Sequence, residues 1–191
     1  MLLSTALKEW SVAVDALAAG EMVLLLRKGG IREHKGRFSA EAEQVVLLPT
    51  FEHQKPNLLK PAYREQVSVV ESGWHPGFIQ LVAWAKITNI FLTHDAEAVA
   101  ALSAFHIWQP ELAQERLKWK AKQPLYVLAL RAYRFPQPIE MPWEENYGGC
   151  RSWATLAKAI EVDEAIAVPA VSDEDYDRQL DAIAHVLKRM P

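Results

Sequence analysis

The stretch PLYVLALRAYRF (124–135) decides the fold class, because aliphatic and aromatic side chains run through it with little interruption. Such a run, followed by the proline-bearing segment 136–143, predicts a buried strand. Upstream, IQLVAWAKITNIFL (79–92) is rich in β-branched and aromatic residues and predicts a second long strand. We expect this strand to be bent, and its length would suit the wall of a small barrel.

Between these two strands the sequence predicts helices instead of a tight turn. Asp95 is placed to cap a short helix over 96–104, and Pro110 suits the first turn of another helix, which ends before Pro124. One side of that second helix carries Leu112, Arg116 and Trp119. Strands interrupted by helices, without regular strand–helix alternation, favour an α+β fold over a doubly wound one.

Towards the N-terminus a helix is predicted from Ser4 to Gly20, because apolar residues recur at helical spacing. They are Leu7, Trp10, Val14 and Leu17. MVLLLRK (22–28) predicts a buried strand, with 31–38 as its return strand, and VVLLP (45–49) predicts another. Residues 49–61 contain three prolines and are expected to be irregular, with a short strand at 67–72.

Near the C-terminus, residues 147–153 predict a loop entering a short helix, and 160–171 are either a strand or a buried connection. Ser172 and Asp175 form a capping box for a last helix. Its apolar stripe is Tyr176, Leu180, Ile183 and Leu187.

The predicted architecture is therefore a small mixed β-barrel with helical insertions and packed N- and C-terminal helices. A chain of 191 residues fits one domain, 1–191. We expect its core to span about 1–160, with the acidic helix 172–189 packed on it.

Composition excludes several classes of protein. Half of the residues are hydrophobic and 24% are charged, which excludes general disorder. Cys150 is the single cysteine, so an internal disulfide and a cysteine-based zinc site are excluded. The N-terminus lacks a signal-peptide core, and no apolar stretch reaches the roughly 18 residues of a membrane helix. We expect a cytoplasmic protein without a membrane partner.

The net charge of −3 is unevenly distributed along the chain. Residues 1–136 hold 16 Lys and Arg against 13 Asp and Glu, whereas residues 137–191 hold 5 against 11. Five basic residues, with Glu33 as the one acidic residue, lie between Arg27 and Arg37. Basic patches attract polyanions, although charge runs are more often solvated surface.

The first candidate site is RKGGIRE (27–33). Arg27, Lys28 and Arg32 could contact phosphates, while Gly29 and Gly30 would permit close approach of the backbone. The alternative interpretation is a charged hairpin turn.

The second candidate site is TFEHQK (50–55). Here Thr50, His53, Gln54 and Lys55 concentrate polar groups after a buried strand. His53 offers a general base, a metal ligand or, together with Gln54, a hydrogen-bonding edge for a nucleobase. Trp74 or Trp84 could stack on that base. The alternative is ordinary turn and capping chemistry.

Motifs for catalysis and metal binding are missing from the sequence. There is no Walker loop, GxSxG, HExxH or HxxxH, so we predict neither a metal nor a cofactor and no assignable catalytic residues. Two alternatives to a binding domain stay open. One is an enzyme acting on nucleic acid or a phosphorylated small molecule, with Glu33 and His53 as acid and base. The other is a protein-interaction module that uses the acidic C-terminal helix.

Several stretches together resemble the family catalogued as domain of unknown function (DUF) 1802. They are ALKEW and VDAL within 6–17, LLLRKGGI (24–31), LLPTFEHQKPNLLKP (47–61) and PLYVLALRAYRFPQP. The resemblance implies a bacterial protein of a family without an assigned activity. Some members are joined to a restriction-endonuclease-like domain, which implies a restriction or defence context and a restriction-system partner. That domain is not found in this chain.

A looser resemblance, in the order of elements, is to PUA-like domains, which include the ASCH and EVE families. VAWAKITNIFL, a helical segment, PLYVLALRAYRF and PQPIEM follow one another as strand, helices, strand and exit do there. The resemblance implies a small barrel that binds RNA or reads modified bases, with RKGG at the ligand loop. Our prediction is a non-enzymatic nucleic-acid-binding or modified-base-sensing domain in which 27–33 and 52–55 meet across one cleft.

Overall fold

A computed structural model describes residues 1–28, 32–34, 37–119, 122–149 and 151–188, with backbone alone for 32–34 and 37–39. Its strands are β1 (Leu2–Trp10), β2 (Leu24–Arg27), β3 (Arg32–His34), β4 (Arg37–Ser39), β5 (Gln44–Thr50), β6 (Phe78–Thr93), β7 (Leu125–Pro142), β8 (Trp153–Glu161) and β9 (Val168–Pro169). Its α-helices are α1 (Ser11–Ala19), α2 (Pro61–Arg64), α3 (Ala96–Ala101), α4 (Pro110–Lys118) and α5 (Asp173–Lys188). Short 3₁₀ turns occupy Pro56–Leu58, Leu102–Phe105 and Glu145–Tyr147.

A single large sheet organises the described chain. Its strand order is β2-β7-β6-β5-β1-β8, with β9 paired to β7, and β3 and β4 form a separate two-stranded sheet. β1 and β5 run parallel, whereas the other neighbours are antiparallel. The order is an open path from β2 to β8, so the sheet is not closed. The α+β prediction is confirmed, but the barrel is open.

Both faces of the sheet are covered by apolar side chains. Val45 and Leu47 of β5 belong to one core cluster, and Val46 and Leu48 belong to the other. Successive side chains of a strand point to opposite faces, so a continuous apolar run is what a strand buried on both sides needs. The run VVLLP was predicted as a buried strand for this reason, and the prediction is confirmed.

The N-terminal segment differs from its prediction. Residues 2–10 form β1, and the helix occupies only Ser11–Ala19, ending at Gly20 with φ of +77° as predicted. The spacing of Leu7 and Trp10 fits a helix, but β1 gains backbone pairing with β5 on one side and β8 on the other. Those long-range hydrogen bonds override the local pattern.

Three further predictions were wrong. Residues 32–34 and 37–39 pair with each other, while β2 pairs with β7, so 31–38 is not the return strand of β2. Residues 67–72 contain no strand. Trp153–Glu161 is β8, not a short helix, because it pairs antiparallel with β1.

The other elements follow the sequence. β6 is the bent strand, with register shifts between Leu81 and Ala83 and between Ile87 and Asn89. Asp95 caps α3 by accepting from the Glu97 backbone amide at 2.8 Å. In α5 the capping box forms, with Asp175 N donating to Ser172 Oγ at 3.1 Å. The predicted stripe packs on the larger core cluster, with two members buried and two partly buried, namely Tyr176, Ile183, Leu180 and Leu187.

Candidate functional site

One edge of the sheet collects polar residues from distant parts of the chain. Because β1 and β5 are parallel neighbours, both end at this edge, and Trp10 lies opposite Thr50 in the register. The residues at the end of β1 are therefore adjacent to the loop 51–54 that follows β5. Functional loops are often built where parallel strands end.

Two cavities adjoin at this edge. The smaller has a volume of about 330 Å³ and the larger about 1040 Å³. Ligand pockets in proteins typically measure roughly 300–1,000 Å³. Among the described residues, six line both cavities and form what we call the shared wall: Trp10, Arg27, His53, Arg116, Arg151 and Ser152.

A buried ion pair supports the shared wall. Arg27 Nη2 lies 3.1 Å from Glu9 Oε2, with the two side chains only 12% and 4% exposed. The same nitrogen donates to the Lys8 carbonyl oxygen, and Arg27 Nη1 donates to Ser152 Oγ at 3.4 Å. Arg27 Nε is buried and has no hydrogen-bond partner among the described residues. The guanidinium is thus fixed in place, with part of its hydrogen-bonding capacity unused.

Arg116 adds a second half-buried guanidinium to the same cluster. Its Nη1 donates to the Leu26 carbonyl oxygen at the end of β2. Burial lowers the pKa of this guanidinium, the Glu9 carboxylate raises it and the positive charge of Arg27 lowers it further. The Glu9 carboxylate, which is paired with Arg27, therefore also acts electrostatically on Arg116.

Lys8 fixes the loop that precedes β8. Its buried ammonium group donates to the carbonyl oxygens of Gly148 and Gly149, each at 2.8 Å. This loop carries the exposed Arg151 into the lining of both cavities. Of the described residues, four cationic side chains line the smaller cavity, namely Lys8, Arg27, Arg116 and Arg151, together with the carboxylates of Glu9 and Glu52.

His53 is exposed and lies on a strained turn at the mouth of both cavities. Its φ is +61°, a value that residues other than glycine rarely adopt. Such strain is often found at functional positions. Thr50 supports the turn by donating from Oγ1 to the Glu9 carbonyl oxygen at 3.0 Å, and Glu52 Oε1 accepts from the backbone amide of Gly73.

Aromatic rings surround the cationic residues. Trp74, which is 46% exposed, lines the smaller cavity and contacts Phe51 edge to face at 5.9 Å between centroids. His75 and Trp143 stack there at 3.5 Å, and Trp119, 58% exposed, lines the larger cavity. These rings provide flat apolar surface at both openings.

Trp84 does not belong to this surface. It is a residue of β6, is buried in the smaller core cluster and stacks on Tyr133, with 4.3 Å between ring centroids. The suggestion that Trp84 stacks on a ligand is therefore wrong, whereas Trp74 is placed for such a contact.

The structure brings several of the predicted site residues together. Arg27 and His53 line both cavities, Thr50 lines the smaller one, and Lys28 and Lys55 line the larger one. Lys28 is nevertheless buried, which lowers its pKa, and its ammonium donates to the Gln123 carbonyl oxygen.

Gln54 lies outside both linings. It is buried, and its side-chain amide is hydrogen bonded to Ser11 Oγ and to the Phe51 carbonyl oxygen. Gln54 therefore stabilises the loop and is not placed to contact a ligand in either cavity. Gly29 and Gly30 lie outside the described residues, as do the side chains of Arg32 and Glu33.

The residues of the site that were missed from sequence include the charged Lys8, Glu9, Arg116 and Arg151, together with Trp10 and Ser152. The adjacent charges of Lys8 and Glu9 in an otherwise apolar stretch were the available signal, since charged groups are rarely buried unless paired. Arg116 was seen on one side of its helix but was not connected with Arg27.

Within the described ranges, no group of three or more His, Cys, Asp or Glu side chains is placed to hold a metal ion. None of the described helices combines the length and the apolar character that crossing a bilayer requires.

Fold and site together define an α+β protein with a cationic, ring-lined pair of cavities at one sheet edge. The chain belongs to the family described as Domain of unknown function (DUF1802), which matches residues 6–182. The resemblance seen in the sequence is thereby confirmed. Comparison with curated proteins finds no match.

Solved structures similar to the chain include that of ASCH from Zymomonas mobilis. It has 11% identity and a TM-score of 0.47, covering 93% of each chain. Two mutants of that protein give TM-scores of 0.44 and 0.43. The first has 13% identity over 81% of this chain and 90% of the other. The second has 11% identity over 94% of each chain.

Proposed function

We propose that this protein binds single-stranded nucleic acid at the two cavities, with phosphates on the shared wall and a base in the smaller cavity. The observation that carries the proposal is the shared wall itself. Three arginines from separate segments line both cavities, although the whole chain has a net charge of −3. Positive charge is thus concentrated where the protein has concave surface.

The aromatic residues favour a nucleic-acid strand over other polyanions. Proteins that bind single strands combine a cationic groove with rings on which bases stack. Here Trp74 and Trp119 are large exposed rings, and each lies beside the shared wall in a different cavity. A polyanion without bases would gain nothing from them.

The smaller cavity is the place where the protein would select among bases. Its volume of about 330 Å³ suits one small ligand group. His53 and the stacked pair of His75 and Trp143 line it, and they supply hydrogen-bonding and stacking surface. A domain that distinguishes modified from unmodified bases in this way would fit the restriction context implied by the family resemblance.

The test is fluorescence anisotropy with labelled single-stranded RNA and DNA, with and without modified bases, together with a duplex of the same sequence. We expect binding of a single strand at low salt. Arg151→Gln should lower the slope of log affinity against log salt by about 0.7, the value for one phosphate contact on a single strand. Trp74→Ala should weaken binding by roughly 1–3 kcal/mol through lost stacking.

Arg178→Gln is the matched control, because Arg178 is exposed on α5 and lines neither cavity. Its affinity and salt slope should match those of the unaltered protein. Undetectable binding at low salt, or equal effects of Arg151→Gln and Arg178→Gln, would contradict the proposal.

A further inference from the structure

We infer that the shared wall is a binding site for a phosphate dianion, supplied by the terminal phosphate of a nucleic-acid strand. The source of the phosphate rests on the proposed function, whereas the anion site rests on the charges of the wall. Arg27, Arg116 and Arg151 contribute three guanidinium groups, and the other members of the wall are Trp10, His53 and Ser152. No carboxylate is among these six residues.

The charge balance points to a ligand with two negative charges. Glu9 pairs with Arg27 at 3.1 Å and also acts on Arg116, so one carboxylate serves two guanidinium groups. Arg151 adds a third positive charge from the opposite loop. On the wall itself, two positive charges therefore exceed what Glu9 balances, while Glu41, Glu52 and Glu115 line the cavities outside the wall. The Arg116 charge is half-buried, where an uncompensated charge is costly, and the Arg151 charge is exposed and open to an anion.

A terminal phosphate matches this excess better than an internal one. A phosphomonoester carries about −1.5 to −2 charges at neutral pH and offers three strong acceptor oxygens. A backbone phosphodiester carries a single charge. Guanidinium groups bind phosphate through paired, parallel hydrogen bonds, which the exposed Arg151 can make. Arg27 and Arg116, whose guanidinium groups already donate within the protein, add positive charge beside it.

The position of the wall suits the end of a strand. It faces the smaller cavity of about 330 Å³ on one side and the larger cavity of about 1040 Å³ on the other. With a terminal phosphate on the wall, the nucleotide that carries it would lie in one cavity. The rest of the nucleic-acid strand would leave through the opening of that cavity. The Ser152 hydroxyl and the His53 ring lie on the same wall and can donate further hydrogen bonds.

The first experiment measures binding of inorganic phosphate by calorimetry at constant ionic strength. We expect the unaltered protein to bind it, and Arg151→Gln to weaken binding by about tenfold or more, as for loss of a charge-assisted hydrogen bond. Glu9→Gln should strengthen binding, because it removes the balancing carboxylate while retaining an oxygen for Arg27. Arg178→Gln should leave it unchanged.

Circular dichroism and thermal unfolding establish that each variant is folded. Should Glu9→Gln fail to fold, the exposed Arg151 carries the test by itself. Undetectable phosphate binding, or binding that Arg151→Gln leaves unaltered, overturns the inference.

The second experiment compares one single-stranded oligonucleotide with a 5′-phosphate, with a 3′-phosphate and with hydroxyl groups at both ends. We expect one phosphorylated end to bind about tenfold more tightly than the hydroxyl form, with the gain lost in Arg151→Gln. Equal affinities of the three overturn the inference even if inorganic phosphate binds, and they leave the proposed function intact. Absence of any oligonucleotide binding contradicts the proposed function instead.

Discussion

Arg27 has a structural role that limits what mutation of it can show. Its guanidinium is held by Glu9, the Lys8 carbonyl oxygen and Ser152, all within the protein. Removing one partner of a buried ion pair typically costs roughly 3–5 kcal/mol, because the other charge stays buried without compensation. Loss of binding in Arg27→Ala would therefore mix unfolding with lost contact, and the exposed Arg151 is the more informative position.

His106 is a second buried polar residue, away from both cavities. Its Nδ1 accepts from the Trp108 backbone amide at 3.2 Å, and its buried Nε2 has no partner among the described residues. Burial, with a smaller contribution from the positive charge of Lys60, lowers the pKa of this imidazole from 6.5 to about 4. The folded protein therefore holds His106 neutral.

This arrangement predicts a loss of stability in mild acid. Because the folded pKa of about 4 lies below the ordinary 6.5, the unfolded chain binds the proton more readily between these values. The stabilisation is complete above pH 6.5 and declines as the pH falls towards 4. Urea unfolding should show a His106 contribution of about 2 kcal/mol lost between pH 7.5 and pH 5.

His106→Asn is the control for that measurement, since its amide oxygen can still accept from Trp108 but does not titrate. The variant should lose about 2 kcal/mol less than the unaltered protein over the same pH interval. Parallel pH profiles of the two proteins would refute the assignment.

At the scale of elements, Gly20 ends α1 and packs against Ala170, in the segment that precedes α5. It ends the helix in the left-handed region, with Glu21 N donating to the Ala16 carbonyl oxygen at 2.9 Å. A Cβ atom at this position would lie 2.5 Å from the Ala170 carbonyl oxygen. Both the backbone conformation and the available space therefore require glycine.

We predict that Gly20→Ala lowers the free energy of unfolding by about 2 kcal/mol or more, because left-handed strain alone costs roughly 1–2 kcal/mol. Gly77→Ala is the matched substitution, since nothing lies within 4 Å of a Cβ atom there and its φ is not positive. It should change stability by less than about 0.5 kcal/mol, as surface changes usually do. Similar losses in denaturant unfolding of the two variants would show that Gly20 is not constrained.

How far the sequence predicts this fold depends on whether an element is specified locally. The Asp95 cap, the Gly20 helix end and the Ser172 capping box are local, and all three form as predicted. β8 is different, because Ala, Leu and Lys in WATLAKAIE favour a helix by intrinsic propensity. It is a strand because β1, about 150 residues earlier, offers a pairing edge.

The same distinction applies to the candidate site. The loops of Arg27 and His53 were predicted to meet across one cleft, and both residues line the two cavities. Arg27 ends β2 and His53 follows β5, and the ends of both strands were recognisable in the sequence. Lys8, Glu9, Arg116 and Arg151 come from three other segments. The pairing of β1 with β8 brings Lys8 and Glu9 to the loop of Arg151, and the parallel pairing of β1 with β5 brings them to His53. No local pattern encodes either pairing.

At the scale of the whole molecule, α5 belongs to the core. Tyr176 and Ile183 are buried in the larger cluster, and the Tyr176 hydroxyl lies 2.6 Å from Thr88 Oγ1 on β6. The acidic residues Asp177 and Asp181 are exposed on the same helix. The helix thus has an apolar face that stabilises the fold and an acidic face that is open to a basic partner.

Deleting residues 172–191 should lower the free energy of unfolding by roughly 3–6 kcal/mol, since two buried side chains at 1.5–3 kcal/mol each are lost. The double substitution Asp177→Lys/Asp181→Lys should change it by less than about 1 kcal/mol. Thermal unfolding of both proteins checks this, and a deletion variant as stable as the intact chain would contradict it. Only the charge reversal tests the protein-interaction alternative without disturbing the core.

The place of β1 in the sheet has a consequence for synthesis of the chain. β1 lies between β5 and β8, and the Val162 backbone amide donates to the Met1 carbonyl oxygen at 2.8 Å. Ribosomes add roughly 5–20 residues per second, so β1 waits on the order of ten seconds for its last partner strand. During that interval one hydrogen-bonding edge of β1 is exposed to other nascent chains. Chaperones that shield extended segments would be of most use to this protein before residue 161 leaves the exit tunnel.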